Sequence, residues 1–226
     1  MFMWSGGVES TATIKHRLET TDDEIFVHYI RHNSREGRLM HENRAVADLL
    51  PRLNAIRPVR YSESALELIG GQGLAWDFQV MYPIALVAMR HFKCEQVNRG
   101  LCLEDNWHRQ QGMPPLRNPF GGGLHRHHTL RKALAHMLQG SETLDSIAPM
   151  IPEYEWPKAQ HWQVLGDLAP LTWSCRRPLP GGQECGRCHS CTDRAAAKRG
   201  TSDIAEVREL LERCGARPDL PATSSM

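Results

Sequence analysis

Met1-Phe2-Met3-Trp4-Ser5-Gly6-Gly7-Val8-Glu9-Ser10-Thr11-Ala12 decides how the rest of the chain is read. A short apolar run ends in Ser-Gly-Gly, and an acid, a second serine and a helix-compatible stretch follow at once. This pattern predicts a first strand, a tight glycine loop and the exposed start of a helix. Two glycines let the backbone approach a ligand closely, and the unpaired amides of a helix N-terminus favour an anion. A phosphate cradle and an ordinary strand-to-helix turn both satisfy the bare Gly-Gly. The flanking Ser5, Ser10 and Thr11 tilt the reading toward the cradle.

Downstream, apolar runs and helical spacing alternate. Thr11 to Leu18 predicts a helix broken at Thr21-Asp22-Asp23, and Ile25 to Ile30 a buried strand. Leu39 to Leu50 predicts a helix that stops at Pro51, and Arg57 to Tyr61 a third strand weakened by Pro58. Ser62 to Gly73 reads as a polar connection. Phe78 to Phe92 predicts a long apolar helix with Pro83 in its first turn, and Cys94 to Gly100 a fourth short strand. Alternation of this kind implies right-handed βαβ units, a parallel sheet and helices on both faces. Ligands of such sheets bind beyond the carboxyl ends of the strands. There the opening loop, the segments after Tyr29 and Tyr61, and Gly100 to Asp105 converge. Gln110 to Gly123 reads as a loop and Leu124 to Gln139 as a further helix.

The chain has 226 residues, a formal net charge of +1 and 41% hydrophobic residues. That charge offers no global attraction to nucleic acid, so direct nucleic-acid binding is not expected. No apolar run reaches the ~20 residues of a membrane span, and a cytoplasmic location with no membrane partner is expected. Of seven cysteines, Cys94, Cys102 and Cys214 are scattered, and Cys94 and Cys102 read as core thiols. The other four form Thr172-Trp173-Ser174-Cys175 … Cys185-Gly186-Arg187-Cys188-His189-Ser190-Cys191, spaced C-x9-C-x2-C-x2-C. Four thiolates at this spacing suit tetrahedral zinc. An iron–sulfur cluster also accepts four cysteines, and a C-x-x-C can do redox chemistry, but nothing adjacent points to electron transfer. Cys175, Cys185, Cys188 and Cys191 are therefore the expected ligands of a closed structural site. His189 is expected outside the ligand set, with Arg187 and Arg194 offsetting the thiolate charge. The run His125-Arg126-His127-His128 reads as a solvated basic turn, because its spacing does not put three imidazoles on one helix face.

Ser5-Gly6-Gly7-x-Glu9-Ser10 resembles the SGGxDS loop of the PP-loop ATP pyrophosphatases, with Glu for the usual Asp. Within them, the cysteine block through Arg194 resembles the 7-cyano-7-deazaguanine synthase family. Gly100-Leu101-Cys102-Leu103-Glu104-Asp105 resembles that family's glycine-to-aspartate loop, and Pro157-Lys158-Ala159 its lysine segment. The resemblance implies a Rossmann-like, adenine nucleotide alpha hydrolase-like α/β fold. Residues 1–170 would form the ATP domain, 171–216 a zinc-binding helical segment and 217–226 a disordered tail. ATP, Mg2+ and Zn2+ are the implied cofactors. Ser5, Gly6, Gly7, Val8, Glu9, Ser10, Thr11 and Gly100 would hold the nucleotide. Glu9 would place magnesium, Lys158 offset phosphate charge, and Asp105 lie near nucleotide or substrate.

The implied reaction converts 7-carboxy-7-deazaguanine and ammonia to 7-cyano-7-deazaguanine through adenylated carboxylate and amide; a homodimer is compatible with it. Two family segments have no counterpart: Trp76-Asp77-Phe78-Gln79-Val80 and Asn106-Trp107-His108-Arg109 stand in their places. That leaves room for the same chemistry stopping at the amide or using another amine. It also leaves a PP-loop enzyme modifying tRNA and, least favoured, a non-catalytic nucleotide-binding module.

Overall fold

The computed structural model describes residues 1–33, 37–67, 77–102, 153 and 156–200. Asp105, Trp107 to Arg109, the loop at 110–123, the helix at 124–139, the 125–128 run, Cys214 and the tail lie outside the described residues. So do the side chains of Asp77 and Gln79.

Among the described residues, four strands form a fully parallel sheet in the order β3-β2-β1-β4. They are β1 (Phe2–Met3), β2 (Phe26–His32), β3 (Arg60–Leu66) and β4 (Asn98–Arg99). Crossovers are made by α1 (Val8–Thr20), α2 (Leu39–Ile56) and α3 (Asp77–His91). After residue 156 come α4 (Lys158–Leu165), a 3-10 segment (Gly166–Leu171) and α5 (His189–Lys198). None of the described helices is long and apolar enough to cross a membrane.

Alternation along the central strands sorts two cores. Phe2, Trp4, Val27 and Tyr29 face α1, α2 and α4 and meet Val8, Ala12, Leu49, Leu53 and Leu165. Met1, Met3 and Phe26 face the other way, onto Ala85, Leu86 and Met89 of α3. The sheet is thus covered on both faces, as a parallel sheet requires. Chain order reverses between β1 and β4, which places the topological switch point, and with it the cleft, beyond Trp4 and Arg99.

Four expectations shift. Helix α2 runs through Pro51 to Ile56. Pro51 lies on the exposed face, while Val46, Leu49 and Leu53 continue the buried stripe past it; burial of that stripe outweighs one missing backbone bond. Strand β3 extends to Leu66 through Ser62 and Ser64, because both hydroxyls bond the ring of the buried His28 on β2. Pro83 sits in the second turn of α3 rather than the first. In the fourth segment, only Asn98 and Arg99 pair as a strand.

Glu153 is clamped to α1. Its carboxylate accepts from Arg17 Nε at 2.6 Å and from the Arg17 terminal amine at 3.0 Å, and Glu153 is buried. This bidentate pair holds Glu153 against α1, and His16 of the same helix contacts the Trp156 ring. The chain then enters α4 with Pro157 at the cap and Lys158 as its first residue.

Candidate functional site

The two glycines of the opening loop do different work. Gly6 has φ +72°, and a Cβ there would lie 2.7 Å from Ala45 Cβ. Only glycine fits that turn against α2. Gly7 has an ordinary φ of −74° and caps α1 without any side-chain hydrogen bond to the helix amides. A Cβ on Gly7 would stand 3.8 Å from Ser5 Oγ, Glu9 Oε2 and the Trp173 carbonyl. The start of α1 therefore opens on a small concavity of hydroxyl and carboxylate, where backbone amides can meet an anion.

A cleft of about 180 Å³ begins there. It is lined by Ser5, Gly7, Glu9, Ser10 and Gly100, by Met3, His28, Ile30 and Met81, and by Arg38 and Glu42. Of the residues expected to hold a nucleotide, Thr11 does not reach this cleft with its side chain. It is fully buried, and its hydroxyl accepts the Trp4 indole N–H at 2.9 Å, bracing β1 against α1. Val8 is likewise a core residue, able to offer only its backbone. Gly6 shapes the turn. Gly100 is required for packing: a Cβ there would come within 2.3 Å of Ser10 N, so β4 passes directly under the helix start.

Glu9 and Lys158 meet from the first turns of α1 and α4. Lys158 Nζ lies 2.7 Å from Glu9 Oε1, and Cys102 Sγ approaches the same oxygen at 4.0 Å. Burial pushes the Glu9 carboxyl up. The Lys158 ammonium overrides that, with a smaller push from His161, and holds Glu9 well below the usual carboxylate range. A lysine at the first position of a helix opposes the helix dipole; Glu9 is what offsets it. Glu9 Oε2 remains on the loop side. Cys102 is a buried thiol, as expected, but it contacts the site rather than a remote core.

Several cleft residues were not singled out from sequence. His28 is buried with Nδ1 2.7 Å from Ser62 Oγ and Nε2 3.0 Å from Ser64 Oγ. Burial lowers its pKa, so the ring is neutral with one nitrogen donating and the other accepting. Its signal was a histidine alternating with Phe26 and Ile30 in an otherwise apolar strand. Arg38 and Glu42 pair at 3.3 Å one turn apart at the start of α2; in sequence they are ordinary helix charges.

The four cysteines expected to be ligands come together. The Sγ atoms of Cys175, Cys185, Cys188 and Cys191 all lie within 4.8 Å of one another, with Cys185 and Cys191 at 3.9 Å. Zn–S bonds of 2.3 Å at tetrahedral angles put thiolates about 3.8 Å apart. Around a four-iron cluster each thiolate ligates a different iron, and separations grow to roughly 6 Å. The donor set fits one tetrahedral ion. Backbone N–H groups of Cys185 and Cys188 donate to Cys175 Sγ and Cys185 Sγ at 3.3 Å each. N–H groups led by that of Arg187 bring the Cys185 thiol down to about 6, whereas burial pushes Cys175 and Cys191 up. His189 stands outside the set, 3.2 Å from Asp193. Arg194 does not serve the thiolates as expected. It pairs with Glu184 at 2.6 Å, donates to the carbonyls of Thr172 and Ala169, and lies over the Trp162 ring.

No family model and no curated protein sequence matches the chain. Among solved structures, the fold is similar to the U34-tRNA thiolase NcsA from Methanococcus maripaludis with its 4Fe-4S cluster. The TM-score is 0.50 at 12% identity, and the match covers 98% of this chain and 73% of that one. At that identity the likeness establishes a shared architecture: a Rossmann-like parallel α/β sheet, here followed by a four-cysteine cluster in a C-terminal helical region.

Proposed function

We propose that the chain is an ATP-dependent adenylating enzyme of the PP-loop type. The observation that carries this is the Gly6-Gly7 turn delivering an uncapped helix start into a cleft at the sheet's switch point. ATP would set its phosphates against the amides of residues 7–10 and the hydroxyls of Ser5 and Ser10. An acceptor oxygen attacks the α-phosphorus, the α–β bridge breaks, and pyrophosphate leaves. The loop amides and Lys158 stabilise the charge that develops on it. Magnesium, when bound, would neutralise phosphate charge, and Glu9 Oε2 is the carboxylate oxygen available to hold it. Zinc is the ion proposed for Cys175, Cys185, Cys188 and Cys191, in a closed shell with no open position for catalysis.

Two acceptor classes have support. The resemblance of the block from Thr172 to Arg194, with single-ion cysteine spacing, supports a 7-carboxy-7-deazaguanine carboxylate. Ammonia then displaces AMP to give the amide, and a second adenylation on the amide oxygen lets AMP leave again as the nitrile forms. The likeness to a tRNA thiolase supports a tRNA base carbonyl instead, activated in the same way, and it is the stronger support for an acceptor drawn from the fold. Cytoplasmic action accompanies either reading.

Purified protein is incubated with ATP and magnesium, either with 7-carboxy-7-deazaguanine and ammonium or with unmodified tRNA. Pyrophosphate and product masses are then read. Acceptor-dependent pyrophosphate release supports adenylation, and the product that appears identifies the acceptor. Full activity of Glu9→Ala would refute the role given to Glu9, and no pyrophosphate with either acceptor would refute the proposal.

A further inference from the structure

Trp173 lies two residues before the first metal-ligating cysteine, yet it sits on the phosphate loop. Its backbone N–H donates to the Gly6 carbonyl at 2.9 Å, and its carbonyl lies at the Gly7 position described above. Its indole N–H donates to the Cys175 carbonyl at 3.0 Å. The indole face stacks on His41 of α2, with centroids 4.1 Å apart and planes 14° from parallel. The next turn of the cysteine segment closes over the imidazole: a Cβ on Gly182 would meet His41 Cε1 at 2.9 Å. One residue thus joins Cys175, α2 and the turn that must hold Gly6 in the left-handed region.

We propose that Trp173 is a positioning residue for the phosphate loop, through which the state of the four-cysteine site sets nucleotide affinity. Cys175 held by an ion fixes the carbonyl to which the indole N–H is tied. That fixes the Trp173 backbone, and the Trp173 N–H holds the Gly6 carbonyl so that the amides after it face the cleft. Release of Cys175 frees this segment and lets the Gly6-Gly7 turn relax. The site is then more than a fold clamp: oxidation or chelation of the thiolates weakens ATP binding. The nucleotide part rests on the adenylation reading, whereas the effect on the loop does not.

The test uses the full chain in zinc-loaded, chelator-stripped and zinc-restored forms. It reads hydrogen exchange of residues 5–10 without nucleotide, calorimetric affinity for α,β-methylene ATP, and bound zinc. Stripping is expected to speed exchange in residues 5–10 and weaken the analogue about tenfold, the scale of one ordering hydrogen bond, with recovery on adding zinc. Trp173→Ala is expected to show both changes while still holding one zinc, and Trp173→Phe, which keeps the stack but lacks the indole N–H, to keep the faster exchange and the weaker binding and to lose their response to zinc. His41→Ala, which removes the other face of the stack, shifts both readings in the same direction by less. Exchange in residues 5–10 that is indifferent to zinc, or unchanged in Trp173→Ala, overturns the proposal. Exchange that follows zinc while the analogue binds no form upholds the Trp173 linkage and refutes the ATP reading instead.

Discussion

Replacing each loop glycine by alanine separates the stability of the turn from its binding role. At Gly6, alanine must hold φ +72° and place its methyl 2.7 Å from Ala45 Cβ and 3.3 Å from the Ala45 carbonyl carbon and Val46 N. The left-handed backbone costs about 1–2 kcal/mol, and overpacking against a helix backbone costs about 1–3 kcal/mol more. Gly6→Ala should therefore lose about 2–5 kcal/mol, lowering the Tm of a chain this size by roughly 5–15 °C. At Gly7 the same substitution meets nothing nearer than 3.8 Å and needs no unusual φ, so it loses at most about 1 kcal/mol as a cap. Its methyl, however, stands among Ser5 Oγ, Glu9 Oε2 and the Trp173 carbonyl, where a phosphate would lie. Urea unfolding and calorimetric titration with α,β-methylene ATP measure both quantities on each variant. The expected result is a weakened Gly6→Ala fold and a well-folded Gly7→Ala that binds the analogue at least about tenfold less tightly. Unchanged stability in Gly6→Ala would refute the packing argument. Undiminished binding in Gly7→Ala would refute the cradle.

Removing the Lys158 ammonium leaves Glu9 buried and unpaired, so Lys158→Met should lose about 3 kcal/mol at neutral pH, with partial recovery in the double variant Glu9→Gln/Lys158→Met. In the native chain the Glu9 pKa is lowered, so its stabilisation is present above the ordinary carboxylate value and disappears as pH falls through the lower folded one. With the lysine gone burial dominates, and Lys158→Met should regain stability on acidification toward pH 4.5, the ordinary carboxylate value; urea midpoints from pH 4 to 8 read the reversal of slope. Glu153→Gln removes one side of the buried bidentate pair with Arg17 and should lose about 2–4 kcal/mol, seen as a lower urea midpoint. For the cysteine site, X-ray absorption should show a single sulfur shell at about 2.3 Å with one zinc per chain; an iron–iron distance would refute the single-ion assignment.

The parallel α/β framework was legible because its signals are local. Apolar strands, helical spacing and glycine turns each reflect the chemistry of a few neighbouring residues. The cysteine site was legible for the same reason, since three of its ligands lie within seven residues. What escaped were features that depend on a distant partner. The length of β3 hangs on Ser62 and Ser64 answering His28 from another strand. The continuation of α2 past Pro51 hangs on Leu53 reaching a core built by β1 and α1. Thr11 looked like a ligand contact because it follows Ser10 at a helix start; its hydroxyl belongs to Trp4, seven residues back and just past β1. Arg194 looked like a counter-charge because it lies three residues from Cys191; folding gives it Glu184 and two carbonyls instead.

If the cleft takes ATP as proposed, its ionic balance constrains how the nucleotide enters. Glu9 and Lys158 neutralise one another at 2.7 Å, as do Arg38 and Glu42 at 3.3 Å. These four side chains therefore add no net charge to the cleft, and the α1 amides add a fixed attraction for phosphate equivalent to about half a charge. A triphosphate carries several negative charges, so it must arrive with its own cation or divert Lys158 from Glu9. Diversion alone would strand Glu9 beside the incoming phosphate, two negative groups in a partly buried site. If a divalent ion takes Glu9 as Lys158 turns to the phosphates, both pairs stay neutral through the exchange. Nucleotide affinity at this loop should then depend steeply on magnesium in the native chain and far less in Glu9→Gln, where the ion pair with Lys158 is already lost. Calorimetric titration of α,β-methylene ATP across magnesium concentrations reads that difference. Equal magnesium dependence in the two proteins would show that Glu9 and Lys158 form a structural pair and take no part in binding.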